Sequence, residues 1–158
     1  MPKNDLIDSM VTNSFTLELD GKPIALLSGV SGLDIELEAK EFQQVNAKGM
    51  AGIVKYVGNY NKAPDLQLTR IAPVDSTTDG IWKWFNDIRD KGMSQTDPHA
   101  LRKNGSVVMF DHTFKEIGRF NFFNAWPSKI ATDGLSVDSG EPIKETITLV
   151  CERLERVK

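Results

Sequence analysis

The sequence predicts a mainly β domain: two packed antiparallel sheets forming a barrel-like sandwich, with one flanking α-helix. Three observations carry that prediction. Apolar and polar residues alternate with period two over several short runs, as strands buried on one face require. Turn residues separate those runs, among them Asp20-Gly21 and Asp111-His112-Thr113. One stretch, 76–91, instead places its apolar residues at helical spacing. The 158 residues fit a single domain, 1–158. A chain of that size buries roughly 70% of the surface its unfolded form exposes, so it holds a core without metal or disulfide.

Residues 1–13 read as an N-terminal arm. In 15–19, Phe15, Leu17 and Leu19 share one face, and Thr16 and Glu18 the other. Asp20-Gly21 reads as a hairpin turn, because both residues tolerate positive φ. A second apolar run spans 23–30, with Pro23 at its start, where a missing N–H costs the ladder least. Gly29 and Gly32 bracket a tight connection to a long amphipathic strand. There Ile35, Leu37 and Ala39 face a second sheet, while Asp34, Glu36, Glu38 and Lys40 face away. Phe42 falls on the polar parity, so a bulge or strand end is expected near Glu41.

Residues 45–63 read as a long connection containing Gly49, Gly52 and Gly58. Long loops in compact domains are usually functional or disordered. This one holds Lys48, Lys55 and Lys62 and no acid, a formal charge of +3. It also carries Ile53, Val54, Tyr56, Val57 and Tyr60, which a free loop has little reason to hold. A strand follows at 65–71. In the helix, Ser76 and Asp79 resemble a capping box, Ile81, Trp84, Phe85 and Ile88 form the core face, and Gly92 terminates it. Residues 93–104 are polar and irregular. Strands at 106–110 and 115–123 form a second hairpin, and Pro127 ends that run. The last strand, 143–154, places Ile143, Ile147, Leu149 and Cys151 on one side.

Catalytic chemistry finds little footing. His99 and His112 each sit in a predicted loop or turn with no second ligand at metal spacing, so no metal site and no cofactor are expected. Cys151 lies on a predicted buried face, and reactivity needs an open, electropositive setting. It has no second cysteine to bridge. The Ser28–Ser31 segment is not a nucleophile elbow. The carboxylates of 34–38 repeat along one strand face about 6.8 Å apart, without the distinct environments that split acid and base roles. The net charge of −3 gives no global pull toward nucleic acid or an anionic membrane. Tyr56 and Tyr60 among lysines suit a protein–protein contact better than a base-stacking patch. The polar start lacks a secretory apolar stretch, and no apolar run approaches the roughly 20 residues of a spanning helix.

Several ordered segments carry a family resemblance. Phe15-Thr-Leu-Glu-Leu-Asp-Gly21 is followed by Ser28-Gly-Val-Ser-Gly-Leu-Asp-Ile-Glu36, then Leu66-Gln-Leu-Thr-Arg70, Ile81-Trp-Lys-Trp-Phe85 and Arg102-Lys-Asn-Gly-Ser-Val-Val108. Asn124-Ala125-Trp126-Pro127 is the most specific, and Ile147-Thr-Leu-Val-Cys-Glu-Arg-Leu154 closes the set. Together, over about 15–154, they resemble the inner tube proteins of contractile phage tails and injection systems. Ile71 stands where that family often has Gly, which leaves the subfamily open.

The resemblance implies a structural subunit, not an enzyme: six copies close into a ring, and rings stack into a tube inside a sheath. The implied partners are further copies, the sheath, baseplate and terminator proteins, and protein cargo or DNA in the channel. Asp34, Glu36, Glu38 and Lys40 become candidate channel-lining residues. Lys48, Lys55, Tyr56, Tyr60 and Lys62 become candidate contacts between subunits or rings. Asn124 to Pro127 become a structural corner in which Trp126 is expected to be mostly buried. The helix is expected on the outside of the ring, with Lys83, Asn86, Asp87 and Asp90 outward. Assembly is expected in a bacterial cytoplasm, with release as part of a larger particle. Two alternatives stand beside this: a baseplate-proximal initiator or a terminator of the same fold, and a small ligand-binding β-barrel.

Overall fold

The computed structural model describes residues 14–63, 65–92, 101–138 and 140–158, and of residues 59–62 the backbone alone. The arm 1–13, His99 and the side chains of Tyr60 and Lys62 lie outside the described residues.

Strands β1 (Ser14–Leu19) and β2 (Lys22–Leu27) form the expected hairpin. Asp20 and Gly21 both take positive φ, 51° and 78°, which matches the right-handed twist of the flanking strands. The second run then divides: β3 (Gly29–Ser31) leaves β1 and pairs with β6 (Leu66–Ile71). Between β3 and β6 the chain forms β4 (Glu36–Val45) and β5 (Ala51–Lys62). After β6 come helix α1 (Gly80–Lys91), β7 (Lys103–Phe110), β8 (Glu116–Thr132), β9 (Lys144–Val150) and β10 (Arg153–Arg156).

The described residues form two antiparallel sheets. One has eight strands, in the order β2-β1-β7-β8-β9-β6-β3 with β10 also on β8; the other is the β4–β5 pair. The large sheet does not close into a barrel. Its strand β8 serves both halves, pairing β7 and β10 early and β9 later. The halves meet across one core, with Leu17, Leu19, Val107 and Phe122 from the first and Leu66, Leu68, Ile147 and Leu149 from the second. Gly105 lies opposite Phe122, and a Cβ there would sit 2.6 Å from the Phe122 ring and 2.3 Å from the Glu18 carbonyl oxygen.

The segment Asn124 to Pro127 is where β8 passes from one half to the other. Asn124 takes φ 51°, which turns the strand. Its backbone N–H donates to Asn104 Oδ1 at 2.9 Å, and its Nδ2 donates to Glu152 Oε2 at 2.9 Å. Ala125 and Pro127 are buried, whereas Trp126 is half-buried against the core edge. Pro127 does not end the strand: β8 continues to Thr132 through an irregularity between Pro127 and Lys129, where a missing N–H is tolerated. The final strand is also interrupted, at Cys151–Glu152, and Ile143 is exposed outside it.

The helix begins four residues later than its pattern suggests. Asp79, not Ser76, is the N-cap, and its Oδ2 accepts the Trp82 N–H at 3.0 Å. Arg70 decides this. From the buried face of β6 its guanidinium donates to both Asp79 oxygens, at 2.8 and 2.7 Å, and to Glu145 of β9 at 3.3 Å. Trp82 Nε1 donates to the other Glu145 oxygen at 3.2 Å. One cation and two carboxylates thus tie the helix start to the sheet. Burial opposes ionisation of Asp79, but the Arg70 hydrogen bonds and charge and the helix amides outweigh it, holding its pKa below the ordinary value. Ile81 and Trp84 are buried as expected, and Trp84 Nε1 donates to the Leu101 carbonyl at 2.7 Å. Phe85 and Ile88 are half-buried; Ile88 packs on the core while Phe85 stacks edge-on against Trp82.

Candidate assembly interface

The segment 45–63 is not a loop. It is a tight turn at 46–50 followed by β5, which pairs along almost the whole of β4. Asn46 builds the turn: its Oδ1 accepts the N–H of Lys48 at 3.0 Å and of Met50 at 2.9 Å, while Gly49 takes φ 78°. At the other end the hairpin is pinned at its root. Gly32, at φ 84°, lies so close to Asp65 that a Cβ would sit 2.3 Å from the Asp65 carbonyl oxygen. The irregularity in the ladder lies between Leu37 and Ala39 rather than near Glu41.

The register places Leu37, Ala39, Glu41, Gln43 and Val45 on one face with Val57, Lys55, Ile53 and Ala51. Glu36, Glu38, Lys40, Phe42 and Gln44 share the other face with Tyr56 and Val54. Phe42 meets Tyr56 edge-on at 5.7 Å, and Lys55 pairs with Glu41 at 3.1 Å. Two candidate inter-subunit residues, Lys55 and Tyr56, are therefore partly engaged within their own hairpin.

Among the described residues no second sheet covers either face. Ile35 and Leu37, expected to pack inward, are 55% and 58% exposed, and every residue of β4 is exposed. Phe42, Val45, Met50, Ile53, Tyr56 and Val57 are exposed as well. Among the described residues, beyond marginal contacts, the hairpin packs on no other strand and not on the helix. A two-stranded ribbon of this kind is at best marginally stable alone, and so much bare apolar surface makes it the candidate assembly interface. The physical error in the sequence reading was to assign the apolar parity of β4 to the core of its own chain.

The acidic candidates separate partly. Glu36, Glu38 and Lys40 share one exposed face of β4, while Asp34 lies just before the strand and is exposed. Lys48 stands at the exposed hairpin tip. The backbones of Tyr60 and Lys62 belong to β5. On the helix, Lys83, Asp87 and Asp90 are exposed and Asn86 is half-buried.

Among the described residues no three His, Cys, Asp or Glu side chains group as metal ligands. Burial, with the Asp65 charge adding to it, pushes the Cys151 thiol above its usual pKa, away from the nucleophilic thiolate. The core between the sheet halves is filled by Phe122 and its neighbours, as a structural domain requires and a ligand-binding barrel does not. Among the described residues no helix is long and apolar enough to cross a membrane.

Sequence reasoning missed Val45 and Met50 at the hairpin tip, and Leu135 and Val137 in the 133–144 loop, all exposed apolar residues. Their signal was apolar residues placed among turn formers, the same signal that had been read at Tyr56 and Tyr60.

A compact β domain carrying a long, unpartnered hairpin with apolar residues on both faces is an assembly subunit. The family to which it belongs is that of the T4-like virus tail tube protein gp19, whose model matches residues 11–155. No curated protein sequence matches the chain. Its fold is similar to the sheath/tube terminator of the PVC extracellular contractile injection system, with TM-score 0.73 and 16% identity over 97% of this chain and 99% of that one. It is also similar to a chain of the PVC sheath-tube complex in the extended state, with TM-score 0.71 and 17% identity over 96% and 93%. A chain of the anti-feeding prophage cap, the terminating cap of its tube, gives TM-score 0.68 and 18% identity over 97% of each chain.

Proposed function

We propose that this chain is the repeating subunit of the inner tube of a contractile phage tail or injection system. Six copies close into a ring, and rings stack around a central channel that passes protein cargo or DNA. The observation that carries the reading is the β4–β5 hairpin, whose apolar side chains lack cover, and whose two strands both keep an open edge, among the described residues. Membership in the tail tube family supports it. Head-to-tail contacts around an axis generate rings, and contacts along the axis generate stacks. The protein has no catalytic role; sheath, baseplate and terminator proteins are its other partners. The helix faces the sheath, presenting Lys83, Asp87 and Asp90. The subunit is assembled in the bacterial cytoplasm and becomes part of a tail or tail-like particle.

Glu36, Glu38 and Lys40, with Asp34, line the channel. These three acids against the single base Lys40 give a charge of −2, while Glu41 on the opposite face pairs with Lys55, so repetition around a ring makes a predominantly acidic wall. At physiological salt its repulsion of phosphates and acidic cargo surfaces reaches about 8 Å.

A second reading is an end-ring protein of the same fold, favoured by the likeness to a tube terminator and a terminating cap. Electron microscopy of the purified protein at high concentration tests both. Long tubes support the repeating subunit, single or paired rings the end-ring protein, and a persistent monomer refutes both.

A further inference from the structure

The hairpin and the 133–144 loop lie at opposite ends of the second sheet half. The hairpin leaves beside Leu66, where β6 begins, and its root touches Asp65. The 133–144 loop joins β8 to β9 at the far end, where Ile71 pairs with Lys144, the Ala72 N–H donates to the Ile143 carbonyl at 2.8 Å, and the Asp133 N–H donates to the Lys144 carbonyl at 3.0 Å. This loop frames an open cleft of about 470 Å³. Leu135 and Val137 stand bare on it, Val137 fully exposed. Asp133, Asp138 and Glu141 against Lys144 give residues 133–144 a charge of −2.

The hairpin tip has the complementary character. Val45 and Met50 are bare, Lys48 lies between them, and residues 45–51 carry a charge of +1. A protruding basic, apolar tip at one end and an acidic, apolar cleft at the other cannot satisfy each other within one chain. They can between copies related by a step along one axis, and such a contact repeats without limit.

We propose that the hairpin tip of one copy docks into the 133–144 cleft of the next copy along the tube, seating Val45 and Met50 against Leu135 and Val137 and Lys48 among Asp133, Asp138 and Glu141. This rests on the tube reading and adds to it the receiving surface and the polarity of stacking.

Cysteine cross-linking tests it on the full chain. A variant carrying both Lys48→Cys and Asp138→Cys, oxidised after assembly, is expected to give a ladder of covalent multimers on a non-reducing gel. Either substitution alone is expected to give no ladder. In parallel, Lys48→Glu is expected to raise the protein concentration needed for tubes at least tenfold, and adding Asp138→Lys and Glu141→Lys to restore it. Double-cysteine tubes that form normally but give no ladder overturn the contact, whatever else occupies the cleft. So does a Lys48→Glu variant that assembles like the parent. A parent that forms neither rings nor tubes overturns the tube reading itself, and this contact with it.

Discussion

Arg70→Met would remove the one cation that holds Asp79 and Glu145 together. The Arg70 side chain is 5% exposed, and its guanidinium spans the helix N-cap and β9 at 2.7 to 3.3 Å. Methionine fills much of the same volume, so the loss is chiefly electrostatic. Breaking a buried ion pair by removing one partner costs about 3–5 kcal/mol, because a charge is left buried without compensation. For a chain of this length each kcal/mol lowers Tm by about 2–4 °C, so the expected fall is roughly 6–20 °C. The pH dependence is more diagnostic. In the parent, the pKa of Asp79 is depressed, so its stabilisation is present above the unfolded value near 3.9 and is lost as pH falls through the folded one. In the variant the Arg70 hydrogen bonds and charge are gone, and the folded pKa of Asp79 moves up from its depressed value. The stability that the parent loses as pH falls below about 4 is then already missing from the variant. Urea melts of the unassembled protein, followed by circular dichroism at pH 7 and pH 3, should show the gap between parent and variant narrowing on acidification. A loss below about 1 kcal/mol, or a gap unchanged between the two pH values, would refute the assignment of this network as the tie between helix and sheet.

Trp126→Ala is expected to cost about 2 kcal/mol, below the 3–5 of a fully buried ring, because Trp126 is half-buried at the β8 corner; an unchanged urea midpoint would remove it from the core. Gly105→Ala forces a Cβ against the Glu18 carbonyl and the Phe122 ring and should cost about 1–3 kcal/mol by thermal melting, whereas parental stability would mean that β7 shifts freely. Replacing Glu36 and Glu38 by Gln should leave tubes intact by electron microscopy and change how an acidic cargo is retained. If assembly instead fails or becomes strongly salt-sensitive, those carboxylates belong to a subunit contact.

The alternation of Phe15, Leu17 and Leu19, the Asp20-Gly21 turn and the helical spacing of Ile81 and Trp84 were determined by local chemistry, and each survives in the structure. So did the ordered segments from Phe15 to Leu154 that mark the tail tube family. Periodicity and turn propensity act over a few residues, so the sequence alone exposes them. Tertiary structure decided what each face meets. The glycines and lysines of 45–63 resemble a loop until β5 finds β4, and the apolar parity of β4 resembles a core face although none of the described residues covers it. Asp79 displaced Ser76 as the helix cap because Arg70 and Glu145, 9 and 75 residues from their partners in the network, reach the helix start only in the fold. Asn124 turns β8 at a position whose backbone N–H is held by Asn104 and whose side chain donates to Glu152. Strand partners, buried ion networks and uncovered faces depend on residues distant in the chain, and only the folded arrangement brings those residues within reach of one another.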